Sequence, residues 1–261
     1  MDLDLDGRHA LVCGASEGIG RAAAEELAAL GATVTVLSRR EAVLREVVAG
    51  LAGGDSRGHA FVVADSDDTA GLRAAADAVA ARQPVHILVN NTGGPPGGTA
   101  HEAALEDFET AFRRHVLANQ ALLQAVLPGM RAARWGRIVN VISTSVREPI
   151  PGLGVSNTVR GAVASWAKTL ARELGGDGIT VNNVLPGFTE TGRIAQIVAE
   201  RVAKTGQTDD AVRAAMCATV PAGRFARPEE PGGVIAFLCS PAAAYVNGVS
   251  LAVDGGRMAS I

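Results

Sequence analysis

The sequence predicts an α/β chain: a single Rossmann-type, doubly wound domain with a seven-stranded parallel sheet and helices on both faces. Three observations predict it. Short apolar runs alternate with longer alanine-rich stretches of 3.6-residue periodicity along almost the whole chain, which is how strands buried on both faces and their covering helices read. A glycine-rich turn, Gly14 to Gly20, comes straight after the first apolar run and leads into a helical pattern. The 261 residues, 48% hydrophobic and 20% charged, are enough to bury one sizeable core, and no repeat, linker or low-complexity tract divides them.

Strands are expected at residues 9–13, 33–37, 60–63, 86–90, 137–142, 180–184 and 249–253. Helices fill the gaps. Ala22, Leu27 and Leu30 mark the buried stripe of the first, and Leu170 and Leu174 that of the helix after the fifth strand. Residues 189–228 keep a helical pattern with few strong apolar anchors and are expected to form a mobile lid over a substrate, inside one domain spanning 1–261. Pro228-Glu229-Glu230 then signals a new helix, with proline in its first turn and acids at the positive end of its dipole.

A formal net charge of −3 gives no basic excess, so neither nucleic acid nor an anionic membrane is indicated as a partner; a small molecule is. Cys13, Cys217 and Cys239 are odd in number and far apart, which fits reduced thiols better than a disulfide frame or a zinc site. The acidic N-terminus, Met1 to Asp6, lacks a signal peptide's basic and apolar regions, and no apolar run reaches membrane-spanning length, so a soluble cytoplasmic protein is expected.

The turn Gly14-Ala15-Ser16-Glu17-Gly18-Ile19-Gly20 suits a dinucleotide. Glycine lets the backbone turn tightly and approach a pyrophosphate, while a helix N-terminus offers unpaired N–H groups and a favourable dipole. The second strand ends in Leu37-Ser38-Arg39-Arg40, where a site selecting NAD would place an acid against the ribose 2′-hydroxyl. Arg39 suits a 2′-phosphate instead, with Arg40 and Ser38 in support, so NADP(H) is expected in preference to NAD(H); a solvated basic turn is the plainer reading. Asp65, after the third strand, is placed either for the adenine edge or as a turn residue. The fourth strand runs into Asn90-Asn91-Thr92-Gly93-Gly94, part of a loop too glycine-rich for a helix, through which a cofactor can approach the backbone.

In order along the chain, Gly14 with Gly18-Ile19-Gly20, Asn90-Asn91-Thr92-Gly93, Ser143, Pro186-Gly187, Gly223-Arg224-Phe225, Pro228-Glu229-Glu230 and Val253-Asp254-Gly255-Gly256 resemble the short-chain dehydrogenase/reductase family. The resemblance covers essentially the whole chain and is nearest the 3-oxoacyl-carrier-protein reductase-like branch. It implies a cofactor along the carboxyl edge of the strands, with Asn91, Thr92 and Gly93 against it and Pro186, Gly187, Phe188 and Thr191 at the nicotinamide end. It also implies a homo-oligomer, a tetramer or dimer. The family's reaction uses an Asn-Ser-Tyr-Lys group, and there the chain departs. Ser143 matches the family serine, but the tyrosine position thirteen residues on holds Ser156 and the lysine position four further on holds Arg160. His115 falls at the asparagine position, with Asn119 one turn later.

In the family's chemistry a hydride passes between nicotinamide and a carbonyl carbon while the tyrosine, its phenol lowered from about 10 by the lysine, protonates the oxygen. Serine is a far weaker acid and reaches less far. Arginine stays charged and cannot relay a proton by titrating, although it can clamp ribose hydroxyls or a substrate carboxylate. Residues 156 and 160, four apart on a helix, share a face. Three outcomes follow. The first is an NADP(H)-dependent reductase of a ketone or conjugated carbonyl on an acyl, polyketide-like or quinone-like substrate, with Ser143 and Arg160 stabilising the alkoxide and the proton coming from water, His115 or the substrate. The second is a dehydratase, isomerase or cyclase on the same scaffold. The third is a cofactor-binding pseudoenzyme partnering an active homologue. An intact cofactor site favours the first.

Overall fold

The run His-Ala-Leu-Val-Cys is buried at every position and forms β1 (His9–Cys13), near the centre of the sheet. The structure is a computed structural model that describes residues 1–260, the Asp55 side chain excepted; the predicted domain's last residue, Ile261, lies outside the described residues. After β1 come α1 (Gly18–Ala29), β2 (Thr33–Ser38), α2 (Glu41–Gly50), β3 (Ala60–Val63), α3 (Thr69–Arg82), β4 (Ile87–Asn90), α4 (Leu105–Phe112), α5 (Ala118–Ala133), β5 (Gly136–Val141), α6 (Gly154–Leu174), β6 (Ile179–Pro186), α7 (Gly192–Thr205), α8 (Asp209–Cys217), α9 (Glu229–Cys239) and β7 (Ser250–Val253). The strands lie in the order β3-β2-β1-β4-β5-β6-β7, all parallel, so the direction of winding reverses between β1 and β4. In such a sheet the crevice at the carboxyl ends beside that reversal is where ligands bind.

The expected class, one Rossmann-type domain with seven parallel strands and helices on both faces, is the one observed. Side chains alternate across a strand, and β1 shows both faces buried: Ala10 and Val12 join the core beneath α1 and α9, while Leu11 and Cys13 join the core beneath α3, α5 and α6. Leu27 and Leu238 fill the first core; Leu72, Leu88 and Ile138 fill the second, each with no exposed surface. Burying one such side chain stabilises the fold by roughly 1.5–3 kcal/mol. Gly232 lets α9 close on α1, because a Cβ there would lie 3.1 Å from the Ala22 carbonyl carbon.

β1 and β3 have the expected bounds, and the other five strands differ from expectation by one or two residues at an end. His86 stands just before β4, its N–H still donating to His9 O at 2.8 Å and its Nδ1 accepting from His9 N at 3.1 Å, which is a structural role. The register of the carboxyl half is fixed by a buried amide ladder. Asn90 Nδ2 donates to Asn140 Oδ1 at 2.8 Å, Asn140 Nδ2 to Asn183 Oδ1 at 3.0 Å, and Asn183 Nδ2 to Ser250 Oγ at 3.1 Å, crossing β4 to β7. Slipping any strand by one residue would leave these amides unpaired in the interior.

Residues 189–228 are better anchored than their sequence suggests. Ile194, Val198, Val212, Met216 and Phe225 form an apolar cluster of their own between α7, α8 and the following turn. The periodicity was diluted because these anchors sit on two short helices. The predicted helix start at Pro228 holds: α9 begins at Glu229, and Glu230 accepts from Arg227 N at 2.7 Å while pairing with Arg224 at 2.7 Å. Among the described residues, no helix is long and apolar enough to cross a membrane.

Candidate functional site

A cleft of about 760 Å³ opens along the carboxyl ends of the strands, over the winding reversal. At its near end Gly14 and Gly18 adopt left-handed conformations, φ +59° and +58°, that only glycine enters readily. A Cβ on Gly14 would stand 2.6 Å from Asn91 O, and one on Gly20 only 2.4 Å from Gly14 O. Gly20 is therefore a packing residue beneath the turn and not a member of the lining, whereas Gly14, Ser16, Glu17, Gly18 and Ile19 do line the cleft. Glu17 precedes α1 without a side-chain cap, and no acid occupies the helix's first turn, so its leading N–H groups face the cleft open to an anion. Asn91 Nδ2 ties the β4 loop to Gly14 O at 3.2 Å, and Gly93 has nothing within 4 Å of a Cβ position, leaving an approach path beside Thr92. These features fit a dinucleotide cofactor.

Ser38, Arg39, Arg40 and Asp65 line the end beyond β2. Arg40 is already engaged, donating to Ser16 Oγ at 2.9 Å and to Glu17 Oε2 at 2.7 Å. Arg39 is freer: its side chain is 70% exposed and Nη1 lies 3.8 Å from Asp65 Oδ2. Asp65 lines the cleft, and its Oδ1 accepts from Asp67 N at 3.0 Å as a turn residue does. Asp67 in turn pairs with Arg114, whose guanidinium keeps that carboxyl below the usual range.

Ser143, Ser156 and Arg160 line the same cleft, as do Pro186, Gly187 and Phe188; Thr191 also lines it but lies against the glycine turn, its Cγ2 2.9 Å from the Cβ position of Gly18. Ser143 sits at the end of β5, where its Oγ accepts from Ser145 N at 3.1 Å, so the hydroxyl hydrogen remains available. Ser156 and Arg160 share one face of α6, as the spacing requires: Arg160 Nε donates to Ser156 Oγ at 3.3 Å, and Nη1 donates to the carbonyls of Val141 and Ile142 at 3.2 and 3.0 Å. Burial, and then the charge of Arg193, lower the Arg160 pKa to about 10, so the guanidinium is still charged at neutral pH.

His115 needs correction as a proton source. It lies in a π-helical turn, Arg113–Leu117, between α4 and α5, is 4% exposed, and is not among the lining residues. Burial, then the positive charges of Arg160 and Arg114, push its pKa down to about 3. The imidazole is neutral at working pH and holds no acidic proton to give. Asn119 is likewise buried one turn on and does not line the cleft.

Sequence reading missed Arg114, Arg193, Arg257 and the apolar wall of Ile150, Pro151 and Ile197. Arg193, two residues after Thr191 at the start of α7, was legible only as part of a lid. The wall from 150 to 153 carried no motif, because the requirement there is for bulk.

With His115 lowered to about 3 and Arg160 to about 10, neither group titrates from pH 6 to 9, and the rate profile is expected to lack an inflection there. Steady-state kcat across that range checks it, and a break near 6.5 would restore an imidazole acid.

A family profile described as enoyl-(acyl carrier protein) reductase matches residues 14–257. The 3-oxoacyl-acyl-carrier-protein reductase FabG of Vibrio cholerae is 36% identical, over 97% of this chain and 98% of that protein. Among solved structures, the L-sorbose reductase of Gluconobacter frateurii complexed with NADPH and L-sorbose superposes with TM-score 0.92 at 30% identity, covering both chains entirely. An actinorhodin polyketide ketoreductase with NADPH gives 0.90 at 31%, over 97% of this chain and 98% of that one.

Proposed function

Because the chain belongs to the short-chain dehydrogenase/reductase family, we propose that it is an NADP(H)-dependent reductase of a ketone or conjugated carbonyl that works without the tyrosine acid. The observation that carries this reading is that one cleft joins the open N-terminus of α1 and the arginines after β2 to Ser143, Ser156 and Arg160. When bound, the nicotinamide supplies or accepts the hydride. Asn91, Thr92 and Gly93 hold the cofactor from one side, and Pro186, Gly187, Phe188 and Thr191 from the other. Ser143 and Ser156 each accept from a neighbour, which leaves their hydroxyl hydrogens available as two neutral donors to a substrate oxygen. Arg160 adds a fixed positive charge, and such preorganised donors favour the charge that develops on that oxygen. None of the three is an acid near pH 7, so water delivers the proton. A conjugated carbonyl suits this best, since hydride addition to its carbon terminus leaves an enolate, far less basic than an alkoxide.

Residues 189–228 roof the substrate end through α7 and act as its lid. The chain acts as a cytoplasmic homo-oligomer, tetramer or dimer. Exposed Leu105, Phe112 and Leu117 on one side, and Tyr245 and Leu251 on another, support association.

Titration of nicotinamide fluorescence with NADPH and NADH tests the cofactor reading. NADPH is expected to bind about 10- to 100-fold tighter, from charge-assisted bonds to its 2′-phosphate, and Arg39→Ala is expected to remove most of that preference. Equal affinities, or no saturation with either, would refute it. Deuterium from 4-deuterated NADPH appearing in product separates reduction from non-redox chemistry.

A further inference from the structure

We propose that the compound this protein reduces is an organic acid, its carboxylate gripped between Arg160 and Arg193 beside the reacting carbon; the inference rests on the reductase reading and names its substrate class. The two arginines come from different elements, α6 and α7, and converge on one loop residue: a Cβ on Gly94 would lie 3.3 Å from Arg160 Nη2 and 4.0 Å from Arg193 Nη2. Both line the cleft.

Their partners set them apart from the arginines at the other end. Arg39, Arg40 and Arg114 each face a carboxylate, on Asp65, Glu17 and Asp67. Among the described residues, Arg160 and Arg193 form no ion pair. Each spends donors only on neutral oxygens, Arg160 on the carbonyls of Val141 and Ile142 and on Ser156 Oγ, Arg193 on the carbonyl of Pro95 at 2.9 Å. Two like charges held close in a partly dry cleft repel, and the Arg193 charge adds to burial, the larger cause, in lowering the Arg160 pKa. An anion between them would relieve that repulsion and accept forked N–H bonds, the geometry guanidinium groups offer carboxylates.

The cofactor's own pyrophosphate is not this anion. Its cradle is the Gly14–Ile19 turn; α7 starts against that turn, with Thr191 at Gly18, but the Arg193 guanidinium donates to Pro95 O in the loop after β4. Nor does a carrier-linked acyl chain supply it, because the phosphodiester of a pantetheine arm lies at the far end of the arm from the carbonyl, toward the mouth. Ile150, Pro151, Ile194 and Ile197 line the same cleft and give an apolar remainder of the acid a wall to pack on.

Calorimetric titration of the NADP⁺-saturated protein with 4-phenyl-2-oxobutanoate and its ethyl ester tests the idea. The acid is expected to bind about 10- to 100-fold tighter than the ester, and Arg193→Gln to erase that advantage while Arg193→Lys restores part of it. Equal binding, tighter binding of the ester, or binding of neither would overturn the proposal. So would an Arg193→Gln protein that loses NADP⁺ affinity as far as acid affinity, which would assign the arginine to a cofactor phosphate. If NADP⁺ fails to saturate the protein, the reductase reading fails, and the same acid-over-ester comparison on the protein alone still decides this one.

Discussion

Arg160→Ala is expected to lower kcat/KM by about 10²–10³-fold, the range seen when one preorganised charge or donor is removed from beside a developing oxyanion. The side chain makes the only cationic contact to Ser156 among the described residues, and it ties α6 to the end of β5 through Val141 O and Ile142 O. Alanine removes the charge and leaves those carbonyls without this donor. Arg160→Lys should recover part of the loss, because it keeps the charge but not the fork. Two measurements divide the effect: steady-state kcat/KM, and the NADPH dissociation constant from fluorescence. A rate within a few-fold of the parent in Arg160→Ala would place the guanidinium outside the reaction. A loss wholly in NADPH affinity would make it a ribose clamp alone.

How far this site could be read beforehand depends on what each residue was required to do. The sheet was legible because strands buried on both faces must be continuously apolar, as in β1 and β4, where each residue is buried. The cofactor end was legible because it constrains backbone: Gly14 and Gly18 need positive φ, and Gly20 cannot carry a Cβ, so residue identity is nearly forced. The substrate end constrains only shape and charge. Many side chains satisfy that, and Arg193, Ile150 and Ile197 left no pattern to find. His115 was misjudged for a different reason. Position on a helix next to the site suggested an acid, but protonation depends on burial and on Arg160 and Arg114, which are distant in sequence or set by the π-helical turn. The lid was underestimated because its apolar residues divide between α7 and α8, and only folding brings Val198 to Met216.

The double substitution Ser156→Tyr with Arg160→Lys is expected to raise kcat on a simple ketone by about 10²–10⁴-fold, the usual contribution of a positioned general acid. The physical basis is local. Ser156 lines the cleft near the start of α6, and residue 160 follows it one turn later on the same face, so a phenol and an ammonium would enter the cleft together. The ammonium would lower the phenol from its ordinary value of about 10 toward the working range, which arginine's charge does in part but without lysine's capacity to pass a proton. Two signatures accompany the gain. The pH profile should acquire an inflection that the parent lacks, and the gain should be smaller on a conjugated carbonyl, whose enolate needs protonation less. NADPH binding retained in the double variant shows that the cofactor site survives the larger side chain. If the variant binds NADPH yet gains nothing on the ketone, proton delivery does not limit the parent, and the two serines with Arg160 already complete the chemistry in a way that hydrogen bonding alone explains.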